Sequence, residues 1–124
     1  MPVKIKRIYE PAEESDGLRI LIDRLWPRGI KKDAFDLWLK DVAPSNALRQ
    51  WFHHEEPKWS AFRTKYRKEL AANPAVAELR SAVKGKVATL LYGAKDEKHN
   101  QAVVLAEYLK TAKASAKKKR KTPG

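Results

Sequence analysis

The sequence predicts a small, single-domain α/β fold, with a mostly parallel sheet of three or four strands packed by several helices. Two short, almost continuous apolar runs, 18–25 and 87–92, are typical of strands that are buried on both faces. Many of the other segments repeat apolar side chains at helical spacing. A length of 124 residues suits one domain, which we expect at 1–111, followed by a disordered basic tail at 112–124.

The first part of the chain is predicted to supply two strands and the turns that end them. Residues 3–9 alternate apolar and basic side chains for part of their length, which indicates a strand near a sheet edge. Residues 10–17 form an acidic segment that closes on Asp16-Gly17, as a loop does. The buried strand at 18–25 must end by Pro27, because proline cannot continue a central ladder.

Five segments carry helical signals. In the first, Asp33 is a suitable N-cap and apolar side chains follow at helical spacing as far as Val42. The other four are expected to begin at residue types that commonly start helices: Ser45, Pro57, Asn73-Pro74 and Asp96. The strand at 87–92 lies between the last two of these helices.

Composition excludes several classes of function. The chain has no cysteine, so disulfides, thiolate metal sites and cysteine nucleophiles are absent. No apolar run approaches the roughly 20 residues that a membrane helix needs. The basic N-terminus also lacks the apolar block of a signal peptide. We therefore expect a cytoplasmic protein with no membrane partner, no cofactor and no metal.

Two polar turns are predicted at one edge of the sheet. Residues 92–100 run from a buried strand into a helix start, where free N–H groups attract anions, and residues 23–29 follow the other buried strand. If the two strands are parallel neighbours, both turns open on the same edge. The side chains there that suit a phosphate-bearing or other anionic ligand are Arg24, Trp26, Arg28, Tyr92, Lys95, His99 and Asn100.

Other interpretations of these turns remain open. An enzyme can use the same pocket, with Asp23, Asp96 or His99 as acid or base, although no motif names a reaction class. Equally, residues 92–100 can be an ordinary capped turn. We expect Asp23 to pair with an arginine and Trp26 to serve packing rather than stacking.

The run His53-His54-Glu55-Glu56 resembles a metal site by residue type only. Adjacent positions on a helix point in different directions, and no pair of histidines stands four residues apart. The sequence therefore predicts no metal site there. The neighbouring aromatic side chains Trp59, Phe62 and Tyr66 have helical spacing and are expected in the core.

Half of the excess positive charge lies at the end of the sequence. The net charge is +12, of which 112–124 carry +6 with no acidic residue. Five consecutive cations stand there: Lys117, Lys118, Lys119, Arg120 and Lys121. Such a run can neutralise nucleic-acid phosphates without reading bases, or it can be a solubilising extension. We expect weak, non-specific association with nucleic acid through this tail.

Five motifs occur in order along the chain, at 23–29, 38–45, 48–52, 62–70 and 90–92 followed by 96–100. Together they resemble the YeaO-like bacterial proteins, which belong to a wider domain-of-unknown-function family. The resemblance spans roughly 3–110. It implies a bacterial, cytoplasmic α/β protein and carries no established function. It also adds Arg49 to the candidate ligand-binding residues, because that arginine matches the family pattern.

Other branches of the wider family carry a cysteine after the last strand and a Cys-His-Arg near the following helix. Here Tyr92 stands at the first place and Asn100-Gln101-Ala102 at the second. Thiol chemistry in those branches therefore does not transfer to this chain.

The tail prediction can be tested through salt dependence. If about five tail cations engage duplex DNA, log affinity falls against log salt with a slope of about −4 to −5. A tail-neutralised chain, in which residues 117–121 are all replaced by serine, is expected to lose most of that slope. Fluorescence anisotropy with a labelled duplex measures both proteins. An unchanged slope for the tail-neutralised chain would locate the contact outside residues 117–121.

Overall fold

The sheet contains four strands, and every pair of neighbours is parallel. The computed structural model describes residues 3–53 and 55–110. Its strands are β1 (Val3–Arg7), β2 (Leu18–Leu21), β3 (Leu37–Trp38) and β4 (Ala88–Tyr92). They lie in the order β1-β4-β2-β3. This confirms the predicted α/β class and the parallel sheet, while the predicted tail lies outside the described residues.

The central strand β4 pairs with β1 on one side and β2 on the other. Its middle residue Leu90 stands opposite both Ile5 and Ile20. All five residues of β4 are buried, which explains why its sequence is a continuous apolar run rather than an alternating one. Strand β1, with its alternating basic residues, is an edge strand as predicted.

Helices cover one face of the sheet. They are α1 (Asn46–Phe52), α2 (Trp59–Ala71), α3 (Ala75–Val83) and α4, which is helical over 101–110. Their buried side chains meet those of the strands in one core, in which Tyr66 of α2 is fully buried. Burial raises the pKa of Tyr66, and its hydroxyl donates a 2.5 Å hydrogen bond to the Val42 carbonyl oxygen.

Loops cover the opposite face, around a small apolar cluster of Ile8, Leu21 and Leu91. Beside this cluster Asp16 is buried and lies 2.5 Å from an Arg19 nitrogen. Burial alone would raise the pKa of Asp16, but hydrogen bonds from neighbouring donors outweigh it and lower that pKa. The buried ion pair between Asp16 and Arg19 therefore joins the loop before β2 to the sheet.

The helix predicted from Asp33 to Val42 is wrong. Two single 3-10 turns, Lys32–Ala34 and Lys40–Val42, flank β3 instead. The backbone pairs with the edge of β2, because the Asp36 N–H donates to the Arg19 carbonyl at 2.8 Å. The apolar side chains that suggested one helical stripe divide between the two faces of the sheet. Phe35 and Trp38 pack against the loop-face cluster, and Leu39 and Val42 against the helix-face core.

The predicted strand at 18–25 is shorter in the structure. The last ladder bond from this segment is donated by the Ile22 N–H to the Leu91 carbonyl at 3.0 Å. Beyond it the side chain of Asp23 accepts the N–H of Gly93, the residue directly after β4, at 2.9 Å. Among the described residues, no helix has both the length and the apolar character that crossing a bilayer requires.

Replacing Gly17 by alanine is expected to destabilise the fold more than the same change at Gly29. Both glycines have positive φ, +64° and +75°, so each alanine brings left-handed strain of about 1–2 kcal/mol. At Gly17 the added Cβ would also lie 2.2 Å from the Val87 carbonyl oxygen, whereas nothing lies within 4 Å at Gly29.

We expect this overlap to cost Gly17→Ala about 1–3 kcal/mol more free energy of unfolding than Gly29→Ala. Urea denaturation of both variants measures the difference. Equal losses would contradict the close approach of Gly17 to the Val87 carbonyl oxygen.

Candidate functional site

The two predicted polar turns lie side by side at the carboxyl edge of the sheet. This follows from the parallel pairing of β2 with β4, as the sequence predicted. The carboxylate of Asp23 joins the turns, because it accepts the Gly93 N–H at 2.9 Å and Nε2 of Gln101 at 2.5 Å. A Cβ on Gly93 would lie 2.9 Å from the same carboxylate, so glycine permits this approach.

A cavity of about 430 Å³ opens above this junction, between the sheet edge and α1. Its polar wall is formed by Asp23, Arg24, Arg49, Gln50, His53 and Gln101. Its apolar wall includes the aromatic side chains Tyr9, Trp26, Phe52 and Phe62. Of the residues predicted for the site, the structure thus brings Asp23, Arg24, Trp26 and Arg49 together.

Arg24 is held in place by backbone carbonyls. Its Nε donates to Pro44 at 3.2 Å and its Nη2 to Ala43 at 3.1 Å. The guanidinium is half-buried, and both acceptors are neutral carbonyl oxygens. Arg49 approaches from α1 and is exposed, with a 3.0 Å bond from Nη1 to the Asn46 side chain.

His53, at the C-terminal end of α1, also lines the cavity. His53 ends the helix in the left-handed conformation, with φ 43° and ψ 36°, and its N–H donates to the Arg49 carbonyl at 2.9 Å. In the sequence, this histidine belongs to the run at 53–56, for which no metal site was predicted. His54 of that run lies outside the described residues. Within the ranges 3–53 and 55–110, no group of three potential ligands is placed to hold a metal ion.

His99 belongs to a second cluster that lies outside the cavity wall. Its Nδ1 lies 2.9 Å from an oxygen of Asp96, its Nε2 lies 3.7 Å from Glu56, and its ring meets Trp59 edge-on at 5.2 Å. The Lys98 N–H is the main cause of the lowered pKa of Asp96, and His99 lowers that pKa further. Asp23 thus lines the cavity, whereas the candidate base His99 does not.

Asn100, rather than Asp96, caps α4. Its Oδ1 accepts the N–H groups of Ala102 at 2.9 Å and Val103 at 3.2 Å, and its Nδ2 donates to the Asp96 carbonyl. The prediction that Asp96 caps the helix is wrong by one turn, because its carboxylate organises the turn before the helix instead. Asn100 is fully buried, which leaves its side chain committed to the fold.

Of the remaining predicted residues, Tyr92, Arg28 and Lys95 also lie outside the cavity wall. Tyr92 is buried, and burial raises the pKa of its hydroxyl. Arg28 and Lys95 are exposed at the rim of the two turns. Trp26 packs edge-on against Phe35, as expected, yet remains 41% exposed.

Four side chains of the wall that carry polar atoms were not predicted to face a ligand: Tyr9, Gln50, His53 and Gln101. Tyr9 follows β1, which neighbours β4, and the other three depend on how α1 and α4 pack. Gln50 stood in a segment that carries the family resemblance, His53 in the run that was predicted not to bind a metal, and Gln101 directly after the predicted turn at 92–100.

Comparison with known proteins identifies the family. A model of the family described as the inactive DUF488-N3 subclade matches residues 2–123. The chain belongs to this family. It is 47% identical over 114 residues to the uncharacterised protein YeaO of Escherichia coli (strain K12), across 90% of this chain and 99% of that protein.

More distant relatives come from mycobacteria. The chain is 40% identical over 109 residues to an uncharacterised protein of Mycobacterium tuberculosis (strain ATCC 25618 / H37Rv), across 86% of this chain and 92% of that protein. No solved structure gives a significant match. Membership in the DUF488-N3 subclade confirms the YeaO-like resemblance, and the matched range extends past residue 110, where the resemblance was expected to end.

Replacing Asn100 by alanine tests the assignment of the cap. We expect a loss of about 2–4 kcal/mol in the free energy of unfolding, because two helix N–H groups lose a buried acceptor. Asp96→Ala is the control and is expected to cost about 0.5–1 kcal/mol, since Asp96 is exposed.

The two variants also differ in pH dependence. The pKa of Asp96 is lower in the folded state, so its contribution is present above about pH 4 and is lost as the pH falls below that. Urea denaturation at pH 7 and pH 3 measures both effects. A larger loss for Asp96→Ala at pH 7 would restore Asp96 as the cap.

Proposed function

We propose that this protein binds a small phosphate-bearing or other anionic molecule in the cavity at the carboxyl edge of its sheet. The observation that carries the proposal is the presence of two arginines, Arg24 and Arg49, in one concave wall. Guanidinium groups offer forked donors that match the oxygens of phosphate and carboxylate groups. Ligands commonly bind at this edge of parallel sheets.

The charge balance of the cavity favours an anion. Its one carboxylate, Asp23, already accepts the Gly93 N–H and the Gln101 side chain. These donors stabilise the negative charge within the wall, so the arginines dominate the charge that faces a ligand. The volume of about 430 Å³ suits a small organic molecule.

The apolar wall indicates the rest of the ligand. Tyr9 and Trp26 at the entrance and Phe52 and Phe62 deeper in the fold offer ring surfaces to a flat or apolar group. A molecule that combines an anionic group with a ring therefore fits the wall better than a bare inorganic ion.

An enzyme is the second candidate, and three observations weigh against it. Asp23 is engaged by two donors, and the Asp96–His99 pair lies outside the cavity wall. The family is described as inactive. Together these features support binding without catalysis.

Ligand binding can be tested with the tail-neutralised full-length chain, which removes the tail cations as a competing site. The probes are inorganic phosphate, tripolyphosphate and thymidine monophosphate, added during an NMR amide titration. We expect saturable shifts confined to 23–29, 49–53 and 93–101. The monophosphate is expected to bind more tightly than inorganic phosphate, because only it offers a ring to the aromatic wall.

Arg49→Gln supplies the matched variant. It is expected to weaken binding of the monophosphate about tenfold or more, because a charge-assisted hydrogen bond is lost. Arg67→Gln is the control, since Arg67 is also a helix arginine but pairs with Glu107 away from the cavity. Equal effects of the two variants, or no saturable shift with any probe, would overturn the proposal.

A further inference from the structure

Three exposed apolar side chains surround the entrance of the cavity. Tyr9 is 45% exposed, Leu25 64% and Trp26 41%, and all three also belong to the cavity wall. We call these three residues the mouth surface. Exposed large apolar side chains that cluster at one place commonly mark an interaction site, whereas scattered ones carry no meaning.

Both rings of the mouth surface are fixed in position. The Tyr9 hydroxyl donates to the Arg28 carbonyl at 3.1 Å, and Nε1 of Trp26 donates to the Ile30 carbonyl at 2.8 Å. Trp26 also packs against Trp38, with 5.3 Å between ring centroids. The rings therefore have satisfied polar atoms and fixed orientations, and binding to them loses little conformational entropy.

Several arginines lie near the same surface, together with one exposed carboxylate, Glu10, which accepts the Arg7 N–H at 3.3 Å. The guanidinium of Arg7 lies 5.1 Å above the Tyr9 ring and is anchored by a 2.9 Å bond from Nε to the Ala94 carbonyl. Arg28 is exposed beside Tyr9, and Arg24 and Arg49 line the cavity behind. Fixed aromatic rings among arginines are the combination that binds single-stranded nucleic acid, with bases on the rings and phosphates on the cations.

We propose that the mouth surface binds single-stranded nucleic acid, so that one nucleotide of the strand enters the cavity. The inference rests on the proposed function, because the arginines that hold the free anion would hold the phosphate of that nucleotide. A duplex is a poorer ligand, since its bases stack on each other and are not available to the rings. The carboxylates of an acidic peptide can pair with the arginines, but they provide no ring that stacks on Tyr9 and Trp26.

The experiment uses a fluorescein-labelled oligomer of deoxythymidine, about 12 nucleotides long, and fluorescence anisotropy. Every protein is the full-length, tail-neutralised chain, so that the tail does not contribute. Leu25→Glu is expected to weaken binding about tenfold or more, by removing an apolar contact and placing a negative charge at the mouth. Because Leu25 is so exposed, the change leaves the core intact.

Val87→Glu is the matched control for net charge. Val87 is 45% exposed and precedes β4, so it lies at the amino edge of the sheet, opposite the mouth. It is expected to change the affinity for the oligomer less than threefold. Equal losses for the two glutamate variants would indicate diffuse electrostatic attraction and overturn the proposal.

Trp26→Ala examines stacking itself. Loss of one base–aromatic stack is expected to weaken oligomer binding roughly 5- to 100-fold. Trp51→Ala is the control, because Trp51 is a similarly exposed tryptophan (38%) that lies outside the cavity wall, beside Lys58 and Lys65. Thermal unfolding of both variants checks that each remains folded. If Trp26→Ala does not fold, the result for Leu25→Glu tests the proposal.

The same proteins separate this inference from the proposed function. In one outcome, binding of thymidine monophosphate depends on Arg49 but binding of the oligomer is unaffected by Leu25→Glu. That result would support the cavity proposal and overturn the proposal for the mouth surface. Failure of both ligands would overturn both. Equal competition by an oligomer of glutamate, with the same dependence on Leu25, would assign the surface to acidic polypeptides and overturn the nucleic-acid proposal.

Discussion

The parallel pairing of β4 with both β1 and β2 is the constraint on which the rest of the structure depends. Because β4 lies between strands that come from the other end of the sequence, the turns after all three strands meet at one edge. Tyr9 follows β1, Asp23 follows β2 and Gly93 follows β4. Residues far apart in the sequence thereby form one wall, and the cavity is a direct consequence of strand order.

Burial explains which parts of this fold were predictable. Strands β2 and β4 are buried on both faces, so their apolar runs are unambiguous. The helix prediction for 33–42 was wrong because its apolar spacing fits either a helix or an extended chain whose side chains pack on both faces of the sheet. The free edge of β2 decides between these two structures. That edge is a tertiary feature, so the local sequence pattern does not contain it.

The position of the candidate site was predictable from the sequence, but only some of the residues that line it were. Sequence reasoning found the correct edge and, with the family resemblance, Arg24, Trp26 and Arg49. It also assigned His99 and Asn100 to the ligand because they stand in the same turn. Within such a turn, side chains point in different directions, so proximity in sequence did not establish which ones reach the cavity. Asn100 in particular had a competing use, because a helix start with unpaired N–H groups needs an acceptor.

Asp23 connects the two turns at the carboxyl edge of the sheet. Its oxygens accept from Gly93 and Gln101, which belong to the β4–α4 turn and α4. Arg24 in turn donates to the carbonyls of Ala43 and Pro44, which keeps the guanidinium in place without neutralising it. Hydrogen bonds to backbone and amide groups thus fix Asp23 and Arg24 at the edge where the proposed ligand would bind.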